Sequence, residues 1–100
     1  MIIKITTSLQ KEIEVSISNS CYDRCESYIN EYRLYLADCN INNDDDFKQA
    51  HINAGRTRTK LHNYLLALYD LGFMTLYENA ELRRYYSDRI TTLYELWIEG

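Results

Sequence analysis

The chain of 100 residues contains no proline and only three glycines, so the two residues that most often interrupt a helix are nearly absent. It also contains no uncharged apolar run long enough to form a membrane-spanning helix. The N-terminal segment MIIKITTSLQKEIEV has no small-residue cleavage site of the kind that ends a secretory signal. We therefore expect one domain, residues 1–100, that is located in the cytoplasm and has no membrane partner.

The usual sequence signatures of catalysis and cofactor binding are missing as well. There is no Gly-rich phosphate loop, no G-x-S-x-G and no H-E-x-x-H. Cys21, Cys25 and Cys39 are an odd number for a disulfide framework and one ligand short of a four-cysteine zinc site. The run Asp44–Asp46 lacks the spaced oxygen ligands and the central glycine of an EF-hand. We therefore predict no enzymatic activity, no cofactor and no metal, and free thiols that pack like small apolar residues.

Alternation of apolar and polar residues predicts β structure in the N-terminal segment, residues 1–18. In EIEVSIS, residues 12–18, Ile13, Val15 and Ile17 lie on one side of the strand and glutamates and serines on the other. The segment IIKIT can pair with this strand as a hairpin through TSLQK. Because a lone hairpin is marginally stable in water, it must lie on helices or meet a strand of another chain.

Apolar residues spaced by three and four predict three amphipathic helices, at residues 20–39, 46–71 and 75–98. Their apolar positions are Tyr22, Cys25, Ile29, Tyr32, Leu36 and Cys39; Ala50, Ala54, Thr57, Leu61, Tyr64, Leu68 and Leu71; and Leu82, Tyr86, Ile90, Leu93 and Trp97. Gly55 inside the second helix indicates close packing or a local bend. We predict a mainly α (α+β) fold, with a short N-terminal β-hairpin packed on a three-helix bundle. Helices 2 and 3 form an antiparallel hairpin because their connection is short.

The ends of these helices carry capping signals. Ser20 is the predicted cap of the first helix, and the run Asp44–Asp46 is predicted to cap the second and to provide favourable charge. Gly72 is expected to end the second helix in a left-handed conformation, with Phe73 folded back on its last turn. The sequence T-L-Y-E at residues 75–78 is a capping box that opens the third helix.

The second helix has an unusual charge distribution. Residues 47–69 include Lys48, Arg56, Arg58 and Lys60 and no carboxylate, although the chain has a formal net charge of −4. On a helical wheel, Arg56 and Lys60 lie on one flank of the apolar stripe and Arg58 on the other, and only Lys48 points outward. We therefore expect ion pairs with acids of the neighbouring helices. The candidate acids are Asp23, Glu26, Glu31 and Glu81. The alternative is nucleic-acid binding, which requires several cations that face one way.

The same helix resembles a helix of HEPN-type ribonucleases, in which an arginine and a histidine a few residues later polarise the scissile phosphate. Arg56 and His62 have five residues between them, and Tyr64 follows where some members of that family carry tyrosine. The resemblance implies RNA cleavage with Arg56 and His62 at the phosphate. On a regular helix these two residues lie roughly 120° apart, whereas Arg58 shares a flank with His62 at a spacing one residue short of the motif.

Tyrosine is present in excess, with ten residues against two phenylalanines and one tryptophan. A bundle of this size cannot bury all of them, and tyrosine and arginine are enriched among the side chains that dominate binding at protein interfaces. Clustered acids can in addition engage a basic surface of a partner. The candidate partner-binding residues are therefore Tyr77, Arg83, Arg84 and Tyr85, together with the acidic Asp44, Asp45 and Asp46.

These patterns predict a small non-enzymatic inhibitor or adaptor that occludes the surface of a partner protein, which could belong to a complex that handles nucleic acid. In size, proline-free helicity and lack of motifs the chain resembles the small counter-defence proteins of phages and mobile elements, of which anti-CRISPR inhibitors are one group. The alternative is a small nucleic-acid-binding regulator that uses Lys48, Arg56, Arg58 and Lys60, and a third hypothesis is the HEPN-like ribonuclease. Homo-oligomers are compatible with either of the first two functions.

Overall fold

The computed structural model describes every residue from Met1 to Gly100. Two strands precede three helices, with the bounds β1 Ile2–Thr6, β2 Glu12–Ser16, α1 Asn19–Ala37, α2 Asp44–Asp70 and α3 Leu76–Glu99. The predicted fold class is confirmed, because an antiparallel hairpin accompanies three helices of which α2 and α3 pack closely. α1 contacts both α2 and α3, and β1 contacts α3.

The hairpin covers its apolar face within the chain. Ile3 lies opposite Val15 and Ile5 opposite Ile13 in the antiparallel register. Because side chains alternate along a strand, these residues share one face, and Ile3, Ile5 and Val15 are buried. Gln10 adopts a left-handed conformation (φ 61°) in the connecting turn. The two strands therefore pair with each other and use the helices as their support.

α1 begins slightly earlier than predicted. Its cap is Ser18 and not Ser20, since Ser18 is extended (ψ 155°) and its Oγ accepts a hydrogen bond from the Cys21 N–H at 3.1 Å. Ser20 is already helical, so its side chain cannot occupy the cap position. At the other end α1 stops at Ala37, and Cys39 lies beyond the helix.

α2 also begins earlier than predicted, because its cap is Asn43. The Asn43 Oδ1 accepts hydrogen bonds from the N–H groups of Asp45 and Asp46 at 3.0 and 3.1 Å. Asp44, Asp45 and Asp46 therefore form the first turn of the helix, where their charges interact favourably with the helix dipole. Asp46 also accepts a hydrogen bond from the Asn40 N–H at 2.8 Å, which closes the loop between α1 and α2.

The turn between α2 and α3 is closed by hydrogen bonds at both helix ends. Gly72 is left-handed (φ 82°), as predicted, and its N–H donates to the Tyr69 carbonyl at 2.9 Å. The Phe73 N–H donates to the Leu68 carbonyl at 3.0 Å, which completes a Schellman motif. The predicted capping box at residues 75–78 is present. The backbone of Phe73 therefore folds back on α2 as predicted, but its side chain is exposed.

One core of seventeen apolar residues draws on all five elements. It consists of Ile3, Ile5, Val15, Ile17, Cys21, Cys25, Ile29, Tyr32, Leu36, Ala50, Ala54, Leu61, Leu65, Met74, Leu82, Tyr86 and Ile90. Cys21 and Cys25 are buried free thiols, and burial raises the pKa of Cys25 to about 12. Both cysteines therefore pack as small apolar side chains, as predicted.

Gly55 does not serve the packing role that its position predicts. It is exposed in the middle of α2, and a Cβ built on it would meet no other atom within 4 Å. α2 continues through it without interruption from Asp44 to Asp70. The prediction of close packing at Gly55 is therefore wrong, because the space around this position on the outer surface of the helix is empty.

Candidate functional site

The four cations of α2 have different surroundings. Arg58 faces α3, where its Nε donates to the Ser87 Oγ at 3.0 Å and its Nη2 donates to the Thr91 Oγ1. Lys60 faces α1, where its Nζ lies 3.9 Å from a carboxylate oxygen of Glu31. The remaining two, Lys48 and Arg56, are exposed and form no ion pair.

Of the predicted ion pairs between α2 and its neighbours, only the one from Lys60 to Glu31 is present. Both side chains are more than half exposed, so the pair contributes little to stability. Arg58 is held by hydroxyl groups and not by a carboxylate. Because Arg58 contacts α3 and Lys60 pairs with Glu31, only Lys48 and Arg56 remain as exposed unpaired cations of α2, fewer than the several that a phosphate backbone requires.

The two residues of the ribonuclease-like motif lie apart. Arg56 is exposed on the outer surface of α2, whereas His62 is half-buried. His62 shares its flank with Arg58, and burial, followed by the charges of Arg83 and Arg58, lowers the pKa of its imidazole. Its Nε2 atom is buried and has no hydrogen-bond partner. The structure thus brings His62 together with Arg58 and Arg83, and leaves Arg56 outside the group.

The candidate residues Arg83, Arg84 and Tyr85 separate on folding. Arg83 faces α2, where its charge acts on His62. Arg84 faces the hairpin, because it donates to the Thr6 carbonyl of β1. Tyr85 is half-buried against the core. These three neighbours in sequence therefore do not present one common surface.

Two of these side chains have structural contacts. Arg84 bonds Glu81 Oε2 at 3.0 Å and Asp88 Oδ2 at 3.0 Å. Tyr85 packs edge-on against the buried Tyr86, with ring centroids 5.0 Å apart. Both arrangements stabilise α3, and the hydrogen bond from Arg84 to the Thr6 carbonyl also joins α3 to the hairpin.

The acidic candidates lie at the end of the bundle where α2 begins and α3 finishes. Asp44 and Asp45 are exposed and form no ion pair. Directly after them Phe47 packs with Tyr94 and Trp97 of α3, with ring centroids 6.0 to 6.2 Å apart. The sequence did not predict this aromatic cluster, because Phe47 lies outside the apolar stripe of α2 and meets its partners only when α3 packs alongside.

The last candidate, Tyr77, belongs to an exposed apolar surface on the α2–α3 turn. Its members are Leu71, Phe73, Leu76 and Tyr77, with exposed fractions of 72%, 70%, 58% and 56%. We call these four residues the turn patch. Three of them were not predicted as binding residues. The sequence of α3 nevertheless indicated that Leu76 and Tyr77 are exposed, because neither residue lies on the apolar stripe that contains Leu82.

An apolar groove adjoins the turn patch. It has a volume of about 360 Å³ and lies between the end of β2, the start of α1 and the end of α2. Phe73 belongs both to the turn patch and to the wall of this groove. The other lining residues are Ser16, Ile17, Ser18, Ser20, Cys21, Tyr64, Leu68 and Met74. The volume falls in the range of pockets that receive small ligands.

No three His, Cys, Asp or Glu side chains converge in a way that could hold a metal ion. None of the three helices combines the length and the apolar composition that crossing a membrane requires. In comparisons with protein-family models, with curated proteins and with solved structures, no match to this chain was found.

Proposed function

We propose that the protein is a small non-enzymatic inhibitor or adaptor that binds a partner protein and occludes part of its surface. The observation that carries this proposal is the turn patch, in which four large apolar side chains are each more than half exposed. Single exposed apolar residues are common, but several large ones on the same turn of a small domain favour an interaction site.

The chemistry of the turn patch favours a protein as the partner. Phe73 and Tyr77 provide large, stiff contact surfaces, and aromatic anchors of this kind dominate the binding energy of protein interfaces. The adjoining groove of about 360 Å³ offers a place for an apolar side chain of the partner. The Schellman motif and the capping box hold the turn in one conformation, which lowers the entropic cost of binding.

The charge of the chain favours a basic partner. The formal net charge is −4, and Asp44 and Asp45 are exposed without a cation partner. Such charges steer association with a positive surface, for example one that handles nucleic acid. We therefore propose that the protein acts in the cytoplasm on a nucleic-acid-handling complex, as a counter-defence protein of the anti-CRISPR type does.

The test is affinity capture with two matched double variants. Phe73→Ser/Tyr77→Ser removes two aromatic side chains of the turn patch, and Leu9→Ser/Leu34→Ser removes two apolar side chains that are equally exposed elsewhere. We expect the unchanged protein and the control to retain a stoichiometric partner from a bacterial lysate with or without nuclease treatment. The patch variant should bind it at least tenfold more weakly. Equal retention by the two variants, or no stoichiometric partner at all, would contradict the proposal.

A second candidate function is a small nucleic-acid-binding regulator. It is favoured by Lys48 and Arg56, which are exposed on α2 without an ion pair. Filter binding at low salt tests it, because phosphate contacts weaken steeply as salt is added. Retention of DNA or RNA that is lost in Lys48→Gln/Arg56→Gln would support this function, and no retention by the unchanged protein would remove it.

A further inference from the structure

The antiparallel register of α2 and α3 brings three basic side chains together. The Arg58 Nε donates to the Ser87 Oγ at 3.0 Å, and the ring of His51 lies 6.0 Å from that of Tyr94. Residues that come later in α2 therefore lie opposite residues that come earlier in α3. One turn beyond Arg58 on α2 is His62, and one turn before Ser87 on α3 is Arg83. We call Arg58, His62 and Arg83, with the hydroxyl groups of Ser87 and Thr91, the seam cluster.

The seam cluster contains no carboxylate, although the chain carries fifteen acidic residues. The charged groups that act on the His62 imidazole are Arg83 from α3 and Arg58 from α2 itself, and both are cations. Neither arginine takes part in an ion pair. Positive charge has thus been concentrated at a half-buried place without an internal counter-ion.

The cluster also has hydrogen-bonding capacity that the protein does not use. The His62 Nε2 and the Arg83 Nε are buried and have no partner. Arg58 is anchored to Ser87 and Thr91 through its Nε and Nη2, and its Nη1 forms no hydrogen bond within the protein and remains accessible to solvent. Buried polar atoms without partners are rare in folded proteins, because the loss of hydration is not compensated. A bound anion with several acceptor oxygens would satisfy these donors together.

We propose that the seam cluster binds one phosphate group, either as inorganic phosphate or as the phosphate of a small phosphate ester. Two guanidinium groups that project from different helices can donate to different oxygens of a tetrahedral anion, and arginine is well suited to this geometry. The hydroxyl groups of Ser87 and Thr91 hold Arg58 in place before the ligand arrives. The half-buried position strengthens the electrostatic attraction compared with an exposed cation.

Protonation of His62 accompanies binding in this proposal. In the free protein burial and the two arginines lower the pKa of the imidazole, so it is neutral near pH 7. A phosphate placed between the arginines reverses the sign of the local charge and raises that pKa. The imidazole then donates from Nε2 to a phosphate oxygen. A rise in the pKa of His62 on addition of phosphate is therefore the signature of the site.

The experiment is an NMR titration of the histidine side chains with sodium phosphate at constant ionic strength, so that screening does not change. His51 provides an internal reference, since it lies eleven residues from His62 on the same helix. We expect a saturable shift of the His62 resonances, a rise in the pKa of His62 and no saturable shift of His51. Repetition with glycerol phosphate distinguishes the sources: tighter binding indicates a phosphate ester, and equal or weaker binding indicates free phosphate.

Variants identify the residues responsible. Arg83→Gln should weaken phosphate binding roughly tenfold, because it removes a charge-assisted contact. Arg56→Gln, an exposed cation of the same helix outside the cluster, should leave binding unchanged. A His62 resonance that does not respond to millimolar phosphate in the unchanged protein would overturn the proposal without the need for any variant. An equal loss of phosphate binding in Arg83→Gln and Arg56→Gln would also overturn the proposal. The seam cluster shares no residue with the turn patch, so this site can fail while partner binding persists.

Discussion

The arginines on the two sides of α3 have opposite surroundings. On the side that faces α1 and the hairpin, each cation has an acid. Arg89 forms a bidentate pair with Glu26 of α1, and its guanidinium lies 5.8 Å from the rings of both Tyr85 and Tyr86. On the same side of the helix, the Arg84 guanidinium is shared between two carboxylates of α3 and a carbonyl of β1. These contacts join three elements of the fold.

On the side that faces α2 the cations have no acid. Arg83 projects towards His62, and the nearby Arg58 donates only to hydroxyl groups. The charge of an arginine therefore does not indicate whether it is paired with an acid in the folded protein. Arg83 and Arg84 are adjacent in sequence and chemically identical, yet Arg84 pairs with Glu81 and Asp88 of its own helix, whereas Arg83, which faces α2, has no acid partner.

The largest effect on stability is expected from the loss of an ion pair on the side of α3 that faces α1 and the hairpin. Arg89→Gln removes the charged contact between α3 and α1 and leaves Glu26 half-buried without its partner. Because both side chains remain partly exposed, we expect a loss of about 1 to 2 kcal/mol in the free energy of unfolding, measured by urea denaturation. Arg33→Gln is the control, since Arg33 is exposed and bonds only Asn30. Equal stabilities of the two variants would show that the pair does not join the helices.

A smaller difference in stability is expected between variants of the two adjacent arginines, Arg84 and Arg83. Arg84→Gln should lower the free energy of unfolding by about 0.5 to 1 kcal/mol, because it removes hydrogen bonds to Glu81 and Asp88 at the surface. Arg83→Gln should leave stability unchanged or raise it, since Arg83 has no acid partner and its buried Nε has no hydrogen-bond partner. Thermal and urea denaturation of the two variants side by side measures the difference. A larger loss of stability in Arg83→Gln than in Arg84→Gln would contradict this prediction.

The smallest effect concerns pH. Burial and two arginines lower the pKa of His62 in the folded protein, so the unfolded chain binds the proton more tightly. As pH falls through about 6.5, the unfolded state is therefore protonated first and the folded state loses stability. The unchanged protein should lose more stability than His62→Gln between pH 7.5 and pH 5.5, measured by urea denaturation at both values. If the two proteins lost the same amount, His62 would not be held in its neutral form.

Several helix ends were predictable from sequence, and the exceptions have a local cause. The capping box at residues 75–78 and the left-handed Gly72 were predicted correctly, because each depends on bonds within a few residues. Ser20 was chosen as a cap in place of Ser18, and both serines have suitable side chains. Ser18 is the cap because Ile17 before it is buried in the core, and Ser18 is then the last extended residue before the helix.

The candidate sites were harder to predict than the helices. Of the proposed binding residues, only Tyr77 belongs to the turn patch. Leu71 was predicted on the apolar stripe of α2 but is exposed, and Phe73 was expected only to fold back on the last turn of that helix. Their apolar side chains resemble core residues in the sequence. Whether such a side chain is covered depends on which element packs against it. Met74 of the α2–α3 turn is buried in the core, whereas the four side chains of the turn patch are left exposed.

The sequence by itself determined the number of elements, the apolar stripes and the Gly72 stop, because these depend on residues that are at most a few positions apart. The tertiary structure alone decided which distant residues Arg58 and Arg89 meet. The pair between Glu26 and Arg89 joins residues 63 positions apart, and the seam cluster exists only in one register of α2 against α3. Such contacts form when helices pack, so local propensity carries no information about them.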